Sequence, residues 1–555
     1  MNYRLNLSIL FAAQVAILSA RAEPPPGYYL VWSDEFNSTA LDRSKWDYWL
    51  LGRRRDAVNV TNTVSVDGSH LVITTCTSNK VHYTGMIATH EKFRSRYGYW
   101  ESRLRWGDTN GMWSAFWMQS PEMLTRSPDP QLFGSEIDIA EHRFVDQHTN
   151  NIANHIQVNI HRDGYGRGSH SSGSGNVANG LADGFHVYGF LWTPDSYSFL
   201  VDDAKIYNGG RTPICHSTDW MIFSSEVDDT STLWAGHIPA GGYGTLADSA
   251  TKLMVDYVRY YAPTNVLFWT GAKSGDSTNP GNWIANLTPL PNSDLTFGSL
   301  SAHPKCVLTA DCSVNSLVFL EPPAAVSIEG AHALTIGEGG IDMSAANRPA
   351  TIRVPVNIRT PQTWVVGQRA GTLELDGAVS ASERLNKTGP GILLMKGTNT
   401  FGSSLNVESG LLAVDGMLKA NPLTVRGKLA GNGVVAGSVI VDGGAVSAGD
   451  SWGALTFTGN LTLSSNSVTR IDIHKSNPAA SQIKITGPLI YNGTLVVTNT
   501  GGELAAGDTF KIFDAASCRG AFEHMMLPPL SSDLKWNLDA LTNGSLSIVS
   551  TTQKQ

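Results

Sequence analysis

A chain of 555 residues exceeds what one hydrophobic core normally organises, roughly 250 to 300 residues, so two or more domains are expected. Its 55 glycines beside only 16% charged residues disfavour long helices and favour turn-rich β-structure. A formal net charge of −8 gives no overall basic field, which removes nucleic acid from the expected partners.

The first 22 residues read as a signal peptide. Arg4 gives a positive start, an apolar run extends from Leu5 to about Leu18, and Ala20 and Ala22 frame a small-residue cleavage site. Cleavage there leaves Glu23 as the first residue of a secreted or cell-surface chain. The alternative is an uncleaved membrane anchor, but Asn6, Ser8 and Gln14 interrupt a run already short for the roughly 20 residues a span needs. No later segment is long and apolar enough to add a membrane span.

From Tyr29 to Tyr261 short alternating runs such as His70–Thr74 and Tyr197–Asp202 recur between Gly, Asn, Asp and Pro, with no sustained helical period. That texture predicts an antiparallel β-sandwich over residues 23–263. After Tyr260, Tyr261, Ala262 and Pro263 tryptophan becomes scarce, and Gly, Thr, Ser, Val and Leu dominate in short runs ending at glycine, which sets a boundary near 262–268. Runs such as Lys387–Gly397, Leu405–Val414, Leu423–Gly427 and Ser438–Gly443 predict a parallel β-helix over 264–490, in which each coil hides its apolar face only against its neighbours. A β-rich cap is expected over 491–555. Lys387-Thr388-Gly389, the Leu-rich strand after it, Asn399-Thr400-Phe401 and Val407 to Val414 resemble the autotransporter-associated β-strand repeat, without the membrane barrel a true autotransporter needs. The resemblance implies a stalk or surface-attachment module. The five cysteines, Cys76, Cys215, Cys306, Cys312 and Cys518, are too sparse for a disulfide scaffold; Cys306 and Cys312 would meet only if a turn lies at Thr309–Asp311.

The chemistry is concentrated in Gly134-Ser135-Glu136-Ile137-Asp138-Ile139-Ala140-Glu141-His142. On a strand Glu136 and Asp138 share one face, while Ile137 and Ile139 take the other. Glu141, five positions on from Glu136, points away from its partners unless a β-bulge near Ile139-Ala140 inserts one residue. With the bulge the two glutamates stand about 13 Å apart along the backbone, and long side chains leaning together approach the roughly 5 to 5.5 Å that double displacement at a sugar carbon requires. One glutamate must then be ionised to attack and the other protonated for the leaving oxygen, with Asp138 keeping the two states apart. Glu136 is read as nucleophile and Glu141 as acid/base; spacing alone permits the reverse. Acidic residues on one strand face are also often just a solvated surface.

Glu136-Ile137-Asp138-Ile139-Ala140-Glu141 is similar to the E-x-D-x-x-E signature of glycoside hydrolase family 16, in the bulged form of laminarinases, agarases and carrageenases. Leu30–Phe36, Tyr97–Arg103, Met112–Met118, Phe185–Pro194 and Val255–Tyr261 resemble further landmarks of that family, in its order. The resemblance covers residues 28 to 262. It implies a concanavalin-like β-jelly roll, with Glu136 as nucleophile, Asp138 as helper and Glu141 as acid/base. It also places Trp113 and Trp117 among sugar-binding aromatics, Trp113 being the preferred binder. Asn159 and His161, two apart on the next strand, are in reach of substrate or acid/base, although a structural role suits a lone histidine as well. Glu226 is a candidate for a sugar hydroxyl. No cofactor is expected for the reaction, while Asp256 falls where some members hold a structural calcium, a poor site from one carboxylate.

The expected partner is a polysaccharide, with a β-1,3- or mixed-linkage glucan ahead of a neutral or sulfated galactan. The arginines at 53–55, 94, 96, 103, 105, 143 and 162 would suit sulfate or uronate, or are scattered surface charge. A reading of another class is a glycan-binding adhesin that holds polymer without cutting it, which has no need of two converging glutamates.

Overall fold

The computed structural model describes residues 25–128, 133–178, 181–182, 184–210, 212–230, 232–448, 453–475 and 481–551. The signal peptide expected over 1–22 lies outside them. The fold is all-β, an antiparallel sandwich followed by a parallel β-helix-like region.

One sheet of the sandwich carries the candidate site. Its seven strands are β1 (Asp47–Tyr48), β2 (Met86–Ala88), β3 (Met112–Gln119), β4 (Ser135–Arg143), β5 (His155–Arg162), β6 (His170–Ala178) and β7 (Trp220–Val227), in the spatial order β6-β5-β4-β3-β7-β2-β1. The opposing eight-stranded sheet is centred on Gly98–Arg105 and Lys252–Pro263. Alternation along β3 divides its side chains between two environments. Phe116 and Met118 enter the core between the sheets, with Ile137, Val158 and Ile160 from β4 and β5 and Trp100, Phe190, Trp192 and Tyr260 from the other sheet. Ala115 and Trp117 instead join Met86, Ala88, Trp220 and Ile222 in a second apolar cluster. This second cluster floors the open face.

Beyond residue 263 the hydrogen bonding turns parallel. Strands from Val266–Phe268 to Phe513–Gly520 build an 18-stranded parallel sheet, and an 11-stranded parallel sheet runs beside it. Successive coils stay in register, so Leu373, Leu393, Leu412, Leu429, Val446, Thr469 and Leu495 form one buried column. Each member removes its neighbours' apolar surface from water, about 1.5 to 3 kcal/mol for a fully buried Leu or Val. Lys387 is buried too. Its ammonium donates to the carbonyls of Gly389 (2.6 Å), Gly391 (2.7 Å) and Ser409 (2.8 Å), tying one coil corner to the next. The parallel ladders run on past residue 490 to His524–Met526, and three antiparallel strands, Thr509–Lys511, Leu534–Asn537 and Ser545–Ser550, add Leu546 and Ile548 to the same core. All five cysteines are free thiols, Cys306 and Cys312 included.

The two regions share a strand rather than a linker. Along Val266–Phe268, Leu267 packs into the β-helix core and Phe268 into the sandwich core. Arg94 of the sandwich pairs with Glu321 at 2.5 Å, both buried, and Arg96 pairs with Asp342. Arg369 bridges Glu321 (2.8 Å) and Glu122 (3.1 Å), so charge crosses the junction in both directions.

Candidate active site

Strand β4 begins under steric constraint: a Cβ on Gly134 would stand 1.7 Å from Ser120 Oγ, so only glycine lets the strand leave its turn against the end of β3. Glu136 pairs with Gln119 and His161, and Asp138 with Trp117 and Asn159. The register then slips. Phe116 faces Ala140 while Trp117 faces Asp138, which leaves Ile139 without an opposite number on β3. Ile139 and Ala140, consecutive in sequence, are both buried in the inter-sheet core. Two inward residues in a row are the mark of a bulge, at the position the sequence called for. Glu141 is thereby returned to the face of Glu136 and Asp138, and all three line one cavity of about 520 Å³.

The hydrogen bonds give each carboxyl a different setting. Trp113 Nε1 donates to Glu141 Oε1 at 2.9 Å. His161 Nε2 lies 3.2 Å from Asp138 Oδ2. Glu136 Oε2 accepts from Gln119 Nε2 at 3.0 Å and from the Tyr165 hydroxyl. Burial pushes all three carboxyls above their ordinary range. For Asp138 the Glu136 charge adds to this, and for Glu141 the Asp138 charge does. On Glu136 the Tyr165 bond, His161, the Gln119 bond and Arg54 act in the opposite sense. Three like charges in one cavity, Asp138 and Glu141 buried and Glu136 partly so, cannot all ionise near neutrality, and Glu136 has the most groups favouring its anion.

The remaining residues expected at the site are placed as follows. Trp113 is half-buried, with the Arg55 guanidinium 4.4 Å from one ring centroid and Trp234 edge-on at 4.5 Å. Trp117 lines the cavity but is only 7% exposed, its indole N–H donating to Ser224 Oγ at 3.0 Å. Asn159 lies in an adjoining cavity of about 380 Å³ with Glu141, Gln157, His161 and Trp234. Glu226 stands in the cavity wall, yet both its oxygens accept from guanidinium groups, Oε1 from Arg54 and Oε2 from Arg55 at 2.7 Å. Asp256 accepts from Arg103 at 2.6 Å. A lone carboxylate already bound to a guanidinium does not fit a calcium needing six to eight oxygens. Among the described residues the one group of three metal-ligating side chains is Glu136, Asp138 and His161.

Gln119 and Tyr165 are absent from the sequence expectations, and so is the pairing of Glu226 with Arg54 and Arg55. Gln119 had a signal, since it continues the 113, 115, 117 alternation of β3 onto the cavity face. Tyr165 had none, because it reaches Glu136 from a loop.

Over the sandwich the chain resembles known proteins. Residues 30–263 match the model described as "Beta-porphyranase A-D, GH16 domain". The endo-1,3-1,4-beta-glycanase ExsH of Rhizobium meliloti is 27% identical over 240 residues, 42% of this chain and 46% of that protein, so the match spans less than half of its length. A beta-glucanase of Rhodothermus marinus is 29% identical over 277 residues, covering 46% of this chain and 92% of its own. The keratan-sulfate endo-1,4-beta-galactosidase of Sphingobacterium multivorum is 26% identical over 267 residues, 45% of this chain and 58% of that one. Among solved structures, the Rhodothermus marinus laminarinase aligns with a TM-score of 0.34 at 26% identity, covering 42% of this chain and 97% of its own. The stretch 30–263, under half of this chain, is thus similar to a glycoside hydrolase family 16 domain.

Proposed function

We propose that the sandwich cleaves bonds inside a β-linked polysaccharide by double displacement, with Glu136 attacking the anomeric carbon, Glu141 protonating the leaving oxygen and then activating water, and Asp138 between them keeping those two states apart. The observation that carries this is the bulge at Ile139, which turns Glu141 onto the face of Glu136 within one cavity. The division of roles follows from the surroundings. Glu136 accepts two hydrogen bonds that favour its anion, whereas burial and the Asp138 charge favour a protonated Glu141.

A neutral β-1,3- or mixed-linkage glucan is the substrate class we favour, because the two arginines lining the cavity are both paired to Glu226. The porphyranase-type match supports a second reading, a β-galactan. Reducing-end release by the wild type and Glu136→Gln from laminarin, mixed-linkage glucan, agarose, carrageenan and porphyran separates the two. Proton NMR of the first product is expected to show a retained anomeric configuration. Inversion would overturn double displacement, and binding with no cleavage of any polymer would turn the reading to an adhesin. We further read the chain as exported, with the β-helix as its attachment module; amino-terminal sequencing of the mature protein is expected to begin at Glu23.

A further inference from the structure

The Glu136 carboxylate is held by a triangle of contacts rather than a single bond. Gln119 Nε2 donates to Glu136 Oε2 at 3.0 Å and to the Tyr165 oxygen at 2.8 Å, and the Tyr165 hydroxyl donates in turn to the same Oε2. Among the described residues both donors converge on Oε2, which leaves Oε1 for a reacting atom. We infer that Tyr165 is a positioning residue, whose hydroxyl clamps one oxygen of the nucleophile so that the other is presented to the anomeric carbon.

The loop that delivers this hydroxyl is anchored at its base and open at its tip. Asp163, only 4% exposed, accepts from Arg162 Nη1 (2.6 Å) and from the backbone N–H of Ser127 (3.2 Å), and His170 Nδ1 lies 2.8 Å from its Oδ2. The Gly164 N–H donates to Met123 O at 2.8 Å. Beyond that anchor Gly164, Gly166 and Gly168 all take positive φ, 76°, 79° and 86°, a path open to glycine and strained for other residues. Tyr165 sits between the first two, 51% exposed, with its hydroxyl end turned to Glu136. About half of its surface meets solvent, so packing alone does not hold the ring there. Its polar contacts are the triangle with Gln119 and Glu136.

The electrostatic sense agrees. The groups facing Glu136 are Asp138 and Glu141 on its own strand, His161 on β5, Asp219 just before β7, and Arg54. Against burial, the Tyr165 bond favours the anion most, ahead of His161, Gln119 and Arg54. Losing it moves Glu136 further up, so the acid limb of the rate profile moves to higher pH.

This inference rests on Glu136 being the nucleophile, and the test separates the two. Tyr165→Phe keeps the ring and removes only the hydroxyl. On the polymer the wild type cleaves, kcat is expected to fall on the order of ten- to a hundredfold with KM nearly unchanged, as for loss of a hydrogen bond to a charged group. The acid limb of kcat/KM is expected to move to higher pH, with the thermal unfolding midpoint within error of the wild type. Gln119→Leu, which removes the other donor, is expected to shift the limb in the same direction. In parallel, Glu136→Gly with added azide is expected to yield the α-glycosyl azide, azide attacking the anomeric carbon while Glu141 protonates the departing oxygen. Azide rescue together with an unshifted acid limb, or a loss confined to KM, in Tyr165→Phe overturns the tyrosine's role alone. Formation of the α-azide by Glu141→Gly instead overturns the assignment beneath it.

Discussion

Replacing Glu141 by glutamine keeps the side chain's shape and an oxygen for the Trp113 N–H, and removes only the proton that titrates. In the wild type this carboxyl is 6% exposed; burial raises it first and Asp138 second, with the Trp113 bond pulling the other way. A positioned proton at the leaving oxygen contributes about 10²- to 10⁴-fold, or roughly 3 to 5 kcal/mol of barrier at about 1.4 kcal/mol per decade. Cleavage of polymer by Glu141→Gln is therefore expected to drop by on the order of a thousandfold in kcat. A dinitrophenyl glycoside, whose leaving group needs no proton, is expected to lose little in its first step and to accumulate the glycosyl-enzyme. Stability supplies an independent reading with a definite sign. A carboxyl whose pKa is raised by folding stabilises the native state fully below its unfolded value, and that contribution is lost as pH rises toward the folded value, by about 1.4 kcal/mol per pH unit. Glutamine does not titrate, so the variant is expected to unfold near the wild-type temperature at pH 4 and at a higher temperature at pH 7 to 8. Wild-type turnover of polymer by the variant, or a stability gap that does not widen with pH, would refute the reasoning.

Glu226→Gln is expected to release Arg54 and Arg55, loosen the guanidinium stacked on Trp113 and raise KM for a neutral polymer about three- to tenfold with little change in kcat; steady-state kinetics check it, and unchanged KM removes the wall from substrate binding. Glu321→Ala leaves Arg94, itself 6% exposed, buried without its carboxylate at the junction, a change expected to cost about 3 to 5 kcal/mol in chemical denaturation. In the β-helix, Leu412→Ala opens a cavity between Leu393 and Leu429. It is expected to cost about 2 to 5 kcal/mol while leaving polymer cleavage by the sandwich unchanged.

What the sequence made legible follows from how local each interaction is. The three carboxyls come from one strand, so parity along β4 was enough to demand a bulge, and the burial of Ile139 beside Ala140 is that demand met in space. Short apolar runs with glycine at their corners made the β-helix coils legible, because Leu405 or Leu423 needs only the residue one coil away to be buried. Parity could not say what occupies the space above a face. Trp113 and Trp117 share one, yet Trp117 is drawn into the apolar floor with Met86 and Ile222 while Trp113 stays half-buried under Arg55. Glu226 looked free because its partners lie 172 and 171 residues away, beyond any period in the chain.

On the proposed mechanism the bond chemistry lies within six consecutive residues, but the groups that bias their carboxyls are Gln119 and Trp113 on β3, His161 on β5, and Tyr165 and Arg54 outside the sheet's strands. These groups arrive from separate elements, and they do not act equally on the three carboxyls. A sandwich with the intact motif but without those neighbours would hold three acids in one cavity and no reason for Glu136 in particular to be the anion. On the proposed mechanism the neighbours decide which glutamate attacks, and variants of Tyr165 and Gln119 test that division more directly than deletion of the glutamates themselves.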